Sequence, residues 1–370
     1  MRIAQIAPLI ERVPPRLYGG SERIVSYLTE ELVRQGHEVS LFASGDSLTS
    51  ANLVPCSERA LRLNPRVRDP LPHYMVMLDE VRRRADEFDV LHFHIDYLHY
   101  PLFRAMPGRT VTTAHGRQDL PDLPVVYSAF PEYPLISISD DQRRPWPSAN
   151  WLRTIYHGLP VDLYSVGSPQ GSGYLAFLGR ICPEKRPDRA IEIAKRSGLP
   201  VKIAAKVDRV DQVYFEEVIR PLLDDPRIEF IGEIGEHEKS AFLGGAVGLL
   251  FPIDWPEPFG LVLIEAMACG TPVIAWRCGS VPEVIEDGLT GFVVGDMEGA
   301  IDAVSKLDRL DRAAIRGRFE QRFTAARMAQ DYVAVYSSLM TTLDLSLARS
   351  AGRLAGRGAD LGDLEAAQVA

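Results

Sequence analysis

The chain has 370 residues, of which 46% are hydrophobic and 25% are charged, a composition typical of a globular protein with about two domains of ~150 residues. A formal net charge of −9 disfavours general binding to nucleic acid or to anionic lipid. The four cysteines form no C-x-x-C pair, so neither a zinc knuckle nor a disulfide framework is indicated. Since no apolar run approaches the ~20 residues that cross a bilayer, we expect a cytoplasmic protein with at most peripheral membrane contact.

The first half of the chain alternates predicted strands with predicted helices. A buried strand is indicated at 2–9, and a helix with one apolar face is indicated at 21–35. Ser21 is the expected N-cap of that helix, and Gly36 is the expected stop. Further apolar runs with the pattern of buried parallel strands occupy 39–42, 90–95, 110–113 and 135–138.

The same alternation begins again after 166–173, a stretch with Gly, Ser and Pro that we predict to be a linker. A helix is predicted at 187–197, since Pro187 suits its first position and Gly198 suits its end. The predicted strands of this half are 174–178, 201–204, 228–231, 247–251 and 273–275.

This repeated alternation predicts an α/β protein with two Rossmann-like doubly wound domains that face a cleft. The expected domains are 1–165 and 166–327, and ligands should bind where the carboxyl ends of the strands meet the cleft. A helix at 328–343 is expected to pack back on the first domain. The Ala/Gly-rich segment 348–370 is expected to be a mobile tail.

Two carboxylates flank the start of a predicted helix in the densest motif, which runs from Trp255 to Pro272. Glu257 lies in the preceding loop, and Glu265 lies about a turn and a half into the helix. Between them the unpaired amides of Phe259–Val262 form an anion site. Because Glu265 lies among apolar residues, its carboxylate needs a partner. We interpret the motif as ligand-binding rather than as two solvated glutamates.

A short basic loop follows the first predicted strand of the second half. Arg180 and Lys185 bracket this loop, which leads into the helix at 187–197. Lys185 is also the first lysine of the whole chain. Fixed charges beside the backbone donors of a helix start suit a diphosphate, so we interpret the loop as a diphosphate site rather than as exposed charges.

These two motifs, in this order and spacing, make the C-terminal half resemble the retaining GT-B glycosyltransferases of family four, the group 1 glycosyltransferases. Further matches at Tyr18–Glu22, Val90–His94 and Thr113–Gly116 extend the resemblance over roughly residues 1–340. The resemblance implies a GT-B fold and a retaining, metal-independent hexosyltransferase that needs no cofactor. Its donor would be a nucleotide-diphospho-sugar.

The resemblance also implies roles for individual residues. Arg180 and Lys185 would hold the diphosphate. Glu257 would bind donor-sugar hydroxyls and Glu265 the ribose, while His115 would lie beside the reacting sugar. The implied catalytic residues are His115, Arg180, Lys185 and Glu257. The implied donor-binding residues are Gly19, Gly20, Arg180, Lys185, Ile234, Glu236, Glu257, Phe259, Gly260, Leu261 and Glu265, and the candidate acceptor residues are Tyr18, Glu22, His94 and Asp96.

Two segments depart from the common family pattern. Tyr156–Pro160 has His157 where Asn is usual, and Ala204–Asp208 lacks the usual glycine at a strand end. These departures bear on the choice of donor more than on the fold. We favour UDP-glucose over GDP-mannose and UDP-GlcNAc, and the acceptor stays unidentified.

Two other interpretations remain open. His92, His94 and Asp96 form H-x-H-x-D, a pattern that suggests a metallohydrolase, because His92 and His94 share one face of a strand. However, Tyr97 occupies the place where such enzymes have histidine, and a cleft-facing strand end explains the same residues without zinc. We therefore expect no metal site. The second alternative is a protein that binds a nucleotide-sugar without turnover.

Overall fold

In the computed structural model, which describes residues 1–169 and 173–342, the strands form two parallel sheets. The first contains β1 (Arg2–Ile6), β2 (Glu38–Ser44), β3 (Asn52–Ser57), β4 (Val90–Phe93), β5 (Thr110–Thr113), β6 (Leu135–Ser137) and β7 (Trp151–Thr154), in the order β3-β2-β1-β4-β5-β6-β7. The second contains β8 (Leu175–Ile181), β9 (Val201–Val207), β10 (Ile228–Gly232), β11 (Gly248–Phe251), β12 (Val273–Trp276) and β13 (Gly291–Val294), in the order β10-β9-β8-β11-β12-β13.

Helices connect the strands and cover both sheets. Those of the first half are α1 (Gly20–Arg34), α2 (Leu71–Arg83), α3 (Tyr100–Phe103) and α4 (Leu123–Ala129). Those of the second half are α5 (Pro187–Ser197), α6 (Gln212–Tyr214), α7 (Glu236–Gly244), α8 (Leu261–Ala268), α9 (Val281–Val284), α10 (Met297–Val304) and α11 (Arg312–Arg322). A further helix, α12, covers 325–342. In the part of the chain that the structure describes, no helix is long and apolar enough to cross a membrane.

The predicted α/β class with two doubly wound sheets is confirmed. In the first sheet the strand order reverses at β1, which pairs with β2 on one side and β4 on the other. In the second sheet it reverses at β8, which pairs with β9 and β11. At such points the connections leave toward opposite faces and open a crevice at the carboxyl ends of the strands. Each sheet therefore supplies one wall of a cleft.

The start of α1 differs from the prediction. The helix begins at Gly20 with Gly19 as its N-cap, rather than with Ser21. Gly19 has a φ of 155°, and a Cβ at this position would lie 2.7 Å from the Cβ of Pro15. Glycine is the residue that tolerates both conditions, so the expectation of a side-chain cap at Ser21 was wrong.

Three strands, β3, β7 and β13, were not predicted. Each lies at an edge of its sheet. The sequences of β3 and β7 lack the continuous apolar run by which central parallel strands are found. The run in β13 is only three residues long, Phe292–Val294. In β3 only Val54 is buried, and Pro55 interrupts the strand pattern.

The predicted domain bounds, 1–165 and 166–327, stay a prediction. The sheets occupy 2–154 and 175–294, on either side of the predicted linker. Residues 170–172 of that linker and the predicted tail, 348–370, lie outside the described residues.

Helix α12 packs against the first sheet and joins a buried hydrogen-bond chain. The Tyr336 hydroxyl accepts a hydrogen bond from Gln5 Nε2 at 3.2 Å and donates one to His92 Nδ1 at 2.7 Å. His92 Nε2 lies 2.8 Å from Thr113 Oγ1, which also lies 2.8 Å from the Tyr332 hydroxyl. The apolar contacts around this chain include Ile3, Ile24, Leu28, Val90, Val111, Met328 and Ala329. The last described helix is thereby fixed to the ends of β4 and β5.

Replacing Tyr336 by phenylalanine is expected to lower the free energy of unfolding by about 1–3 kcal/mol, because His92 Nδ1 and Gln5 Nε2 then lack a buried partner. Urea denaturation measures the difference. Ser337→Ala is the matched control, since the Ser337 hydroxyl bonds only the Val333 carbonyl of its own helix, at an exposed position. Equal stability of Tyr336→Phe and the wild type would contradict a stabilising role for the hydroxyl.

Candidate functional site

The two sheets border a cleft of about 440 Å³. Its N-terminal wall is formed by the start of α1 and by the segments that follow β5 and β7. Its C-terminal wall is formed by the ends of β8, β9 and β11 and by the start of α8. Cleft-lining residues include Tyr18, Gly19, Gly20, Glu22, His115 and His157 on the first wall, and Arg180, Lys185, Lys239, Glu257, Gly260 and Glu265 on the second.

The basic side of the cleft contains a guanidinium group with unused donors. Arg180, near the end of β8, lies 3.8 Å from Glu184 and 3.7 Å from Asp208, distances longer than hydrogen bonds. Its Nε is buried and has no hydrogen-bond partner among the described residues. The Lys185 ammonium lies 4.9 Å from the ring centre of Trp255. An anion placed between these two cations would accept hydrogen bonds from the donors that Arg180 leaves free.

Both glutamates of the acidic motif have cationic partners. Glu257 pairs with Lys185 and accepts a hydrogen bond from Trp255 Nε1 at 3.0 Å. Glu265, whose side chain is 4% exposed, accepts a hydrogen bond from Lys239 Nζ at 2.7 Å. Burial lowers the pKa of Lys239, and the Glu265 carboxylate opposes that shift. Lys239 is therefore the buried partner that Glu265 needs.

Two helix starts approach each other across the cleft. Helix α8 begins at Leu261, after Gly260 with a left-handed φ of 80°. A Cβ at Gly20, the first residue of α1, would lie 3.5 Å from Cδ1 of Leu261. The first amides of a helix lack intrahelical acceptors and lie at the positive end of its dipole. Both walls therefore present backbone donors to the same space.

The tautomer of His115 follows from its buried contacts. Its Nε2 lies 2.8 Å from Nδ1 of His94, and Nε2 of His94 lies 2.7 Å from Oε1 of Gln5. Because a carboxamide oxygen only accepts, His94 carries its hydrogen on Nε2 and accepts at Nδ1. His115 therefore donates through Nε2 and keeps a lone pair on Nδ1. Burial lowers the pKa of His115 to about 4, so the ring is neutral at pH 7.

His157 supports His115 from the other side. The two rings stack with their centres 5.4 Å apart and their planes at 21°. The His157 ring also packs edge-on against Phe259, at 5.0 Å. The side chain is buried, and its Nδ1 has no hydrogen-bond partner among the described residues. The departure from the usual Asn thus adds a second neutral imidazole to the cleft wall.

The walls of the cleft also contact each other directly. The backbone amide of Tyr18 donates to Glu233 Oε1 at 3.1 Å, across the two halves of the chain. Glu283 of the second half accepts hydrogen bonds at 2.7 Å from the backbone amides of Asp140 and Asp141. The two halves of the chain are therefore in direct contact, and both line one site.

Two family models match the chain and together cover well over half of it. The model of Glycosyltransferase Family 4 matches residues 18–158, and that of Glycosyl transferases group 1 matches residues 164–313. The chain belongs to the group 1 glycosyltransferases.

Full-length comparisons agree with this membership. The glycosyltransferase is 26% identical to the D-inositol 3-phosphate glycosyltransferase of Mycolicibacterium smegmatis over 398 residues, 92% of this chain and 91% of that protein. Sucrose-phosphate synthase from Thermosynechococcus elongatus is similar in structure, with a TM-score of 0.74 and 18% identity over 92% of this chain and 99% of that chain. Anabaena HepE in complex with UDP and glucose is also similar in structure, with a TM-score of 0.69 and 19% identity over 91% of this chain and 100% of that chain. The predicted GT-B fold is confirmed.

Most residues of the implied donor set line the cleft of this glycosyltransferase. They are Gly19, Gly20, Arg180, Lys185, Ile234, Glu257, Phe259, Gly260, Leu261 and Glu265. Glu236 is not among these cleft-lining residues, and its implied role in donor binding stays a prediction. Its carboxylate pairs with Arg23 of α1 and accepts a hydrogen bond from Tyr164, so it links the two halves of the chain.

The candidate acceptor residues divide into three groups. Tyr18 and Glu22 line the cleft. His94 needs correction as a direct contact, because it is buried behind His115 with both ring nitrogens in hydrogen bonds. Asp96 lines a separate, smaller cavity. Lys239, on α7, was missed because no local pattern connects it with Glu265 in α8.

The histidine pattern that suggested a metallohydrolase has a different explanation. Both ring nitrogens of His92 bond to hydroxyl groups, of Tyr336 and Thr113. Asp96 lies beyond the strand end and lines another space. Among the residues that the structure describes, no group of three His, Cys, Asp or Glu side chains could hold a metal ion. Buried hydrogen bonding thus accounts for the H-x-H pair.

Four buried histidines and the half-buried His115 make the stability of this glycosyltransferase dependent on pH. Burial lowers the pKa of His115 to about 4 and lowers the pKa values of His92, His94, His99 and His157 well below the ordinary value. The unfolded chain binds protons at these sites below about pH 6.5, while the folded chain does not. The histidine contribution to the free energy of unfolding is complete above about pH 6.5 and decreases as the pH falls toward 4.

Carboxyl groups whose pKa is raised in the folded state have the opposite effect, because their contribution to the free energy of unfolding increases as the pH falls. Burial raises the pKa values of Glu11, Glu22 and Asp96, the last to about 6. The histidine contribution is therefore measured as a difference, by urea denaturation of His115→Gln and the wild type between about pH 7 and pH 4.5. The free energy of unfolding of the wild type should fall more on acidification than that of His115→Gln. The difference in slope should correspond to up to about one additional proton bound on unfolding. Identical pH dependence of the two proteins would contradict the neutral state of His115.

Proposed function

We propose that this group 1 glycosyltransferase is a retaining, metal-independent hexosyltransferase that uses UDP-glucose in preference to GDP-mannose or UDP-GlcNAc. The observation that carries the proposal is the buried Nε of Arg180, which lacks an acceptor among the described residues. Lys185 and the facing starts of α1 and α8 lie around the same space. A diphosphate would supply acceptor oxygens to all of these donors.

The charges of the site suit departure of a diphosphate. In the reaction, the bond from the sugar C1 to the phosphate oxygen breaks and a bond from C1 to the acceptor oxygen forms on the same face. The acceptor proton passes to the departing phosphate. Negative charge grows on the leaving diphosphate, where Arg180, Lys185 and the helix amides would stabilise it, so these fixed donors supply the electrostatic stabilisation without a metal. Retention follows the family resemblance.

The glutamates would bind the two sugars of the donor. When the diphosphate occupies Lys185, the Glu257 carboxylate loses its cationic partner and can accept hydrogen bonds from hexose hydroxyls. Glu265, fixed by Lys239, would accept hydrogen bonds from the ribose. The complexes of Anabaena HepE with UDP-glucose and with UDP and glucose support a UDP-hexose donor. The Mycolicibacterium relative is named a D-inositol 3-phosphate glycosyltransferase, and this name supports an acceptor with several hydroxyl groups, which in that relative also carries a phosphate.

Thermal-shift and donor-hydrolysis assays with UDP-glucose, UDP-GlcNAc and GDP-mannose test the proposal. UDP-glucose should stabilise the protein most and should release UDP, and the first sugar product seen by NMR should keep the α configuration of the donor. Addition of EDTA should leave the rate unchanged. Loss of activity with EDTA that zinc or manganese restores would contradict metal independence, and a β product would contradict retention. Binding without any release of UDP would instead favour the nucleotide-sugar-binding alternative.

A further inference from the structure

A second cavity, of about 220 Å³, lies beside the cleft at the carboxyl ends of β4 and β5. Gly116 lines both spaces. A Cβ at this position would meet no atom within 4 Å, so no side chain of residue 116 stands between the two spaces. His115, the preceding residue, lines the cleft. A molecule in the second cavity can therefore extend toward the proposed position of the reacting sugar.

The cavity contains an uncompensated carboxylate. Asp96 follows β4 and has a φ of 51°, in the left-handed region that residues with a Cβ seldom adopt. Its side chain makes no hydrogen bond or ion pair with any other described residue. Although Asp96 is exposed by surface area, it lies at a cavity wall, and the surrounding protein raises its pKa to about 6. Strained backbone that positions an unpartnered polar group is typical of a ligand site.

The basic and the amide side chain that line the cavity, Arg117 and Gln118, already have hydrogen-bond partners. Arg117 forms two hydrogen bonds to Asp119, at 2.6 and 2.7 Å, and one to Glu184 at 3.3 Å. Gln118 accepts a hydrogen bond from the Tyr127 hydroxyl and donates one to the Gly116 carbonyl at 3.2 Å. Among the described residues that line this cavity, the unoccupied charge is therefore negative.

The walls around Asp96 are aromatic and apolar. Tyr97, Tyr100 and Tyr127 line the cavity together with leucine side chains of the segment that leads into α4. Apolar walls with a few placed polar groups are the usual construction of a site for a small organic molecule. A carboxylate accepts hydrogen bonds from hydroxyl groups but repels phosphate.

We infer that this cavity is an acceptor subsite for an uncharged sugar or polyol, whose hydroxyls donate to Asp96 and whose carbon face packs on the tyrosine rings. A phosphorylated acceptor is disfavoured there, because its charge would lie beside an unpaired carboxylate while Arg117 is held by Asp119 and Glu184. The inference rests on the proposed function, since it assumes that hexose transfer takes place in the adjoining cleft.

Pairs of acceptors that differ only by a phosphate test the acceptor inference in the full chain. Glucose is compared with glucose 6-phosphate, and myo-inositol with an inositol monophosphate, by UDP release above the hydrolysis background and by the mass of the product. The better acceptor of each pair should be the neutral one, with kcat/KM at least about tenfold higher at pH 7.5. UDP-glucose affinity is measured by calorimetry in the same samples.

Asp96→Asn removes the charge and keeps the shape, and asparagine tolerates a left-handed backbone. This variant should lower kcat/KM for the neutral acceptor about tenfold. It should also reduce the ratio of kcat/KM for the neutral acceptor to kcat/KM for the phosphorylated one, and the affinity for UDP-glucose should stay unchanged. Asp86→Asn is the matched control, because Asp86 lies near the amino end of β4 with a side chain that is 87% exposed, and it should behave as the wild type.

The outcomes separate the two proposals. Absence of UDP-glucose binding would overturn the proposed function. Normal UDP-glucose binding and hydrolysis with a preference for the phosphorylated acceptors would overturn the acceptor inference alone. The acceptor inference would also be overturned if Asp96→Asn left the preference for neutral acceptors unchanged. It would likewise be overturned if the phosphorylated compounds accepted sugar and both neutral compounds did not.

Discussion

Replacing Lys185 by alanine is expected to lower kcat/KM for UDP-glucose and the affinity for UDP by about tenfold to hundredfold, because one charge-assisted contact to the diphosphate, about 1.5–3 kcal/mol, is lost. A second effect acts in the same direction. Lys185 pairs with Glu257, so alanine leaves an unpaired carboxylate close to the position of the phosphates. Titration calorimetry with UDP and initial rates with UDP-glucose measure the two quantities.

Two further variants control for general effects of removing a lysine. Lys185→Arg keeps the positive charge and should retain more affinity than alanine. Lys202→Ala removes a lysine that pairs with Glu229 at 3.1 Å on the same sheet, with a side chain that is 37% exposed, and should behave as the wild type. Arg180→Ala should resemble Lys185→Ala. Wild-type kcat/KM in both alanine variants would contradict the diphosphate site.

Replacing His115 by alanine is expected to lower kcat and kcat/KM together by about a hundredfold, with UDP affinity unchanged within about threefold. His115 lies on the N-terminal wall, whereas Arg180, Lys185 and Glu265 lie on the opposite wall. The hydrogen bond from His115 to His94 leaves a neutral Nδ1 lone pair for a contact with the reacting sugar. An interaction that strengthens mainly in the transition state affects turnover more than binding.

His237→Ala is the matched control for this variant, because the His237 side chain is 87% exposed. His94→Ala should also lower kcat without a change in UDP affinity, since His94 positions His115 and does not line the cleft. A tenfold loss of UDP affinity in His115→Ala with constant kcat would show that His115 binds the nucleotide instead. No change in either quantity would remove His115 from the site.

Local sequence patterns predict much of the fold and part of the site. Central parallel strands are buried on both faces, so they occur as short apolar runs that can be recognised without any knowledge of their neighbours. Glycine and proline mark the ends of helices for reasons of backbone geometry that are equally local. The motifs around Arg180, Lys185, Glu257 and Glu265 line one wall of the cleft, and their roles in donor binding stay predictions.

The tertiary structure determines which side chains from distant segments form hydrogen bonds with each other. Strand alternation predicts that His92 and His94 share a face, but it does not predict that one meets Tyr336 of α12 and the other meets His115. These contacts exist because β1, β4 and β5 are neighbours in the sheet while α12 returns from the far end of the chain.

The same limit applies to Lys239, which reaches Glu265 from another helix, and to the free carboxylate of Asp96. Whether a charged side chain is paired depends on the three-dimensional arrangement of groups far apart in the chain. No pattern of neighbouring residues encodes that arrangement, so packing determines which charges of this glycosyltransferase remain available to a ligand.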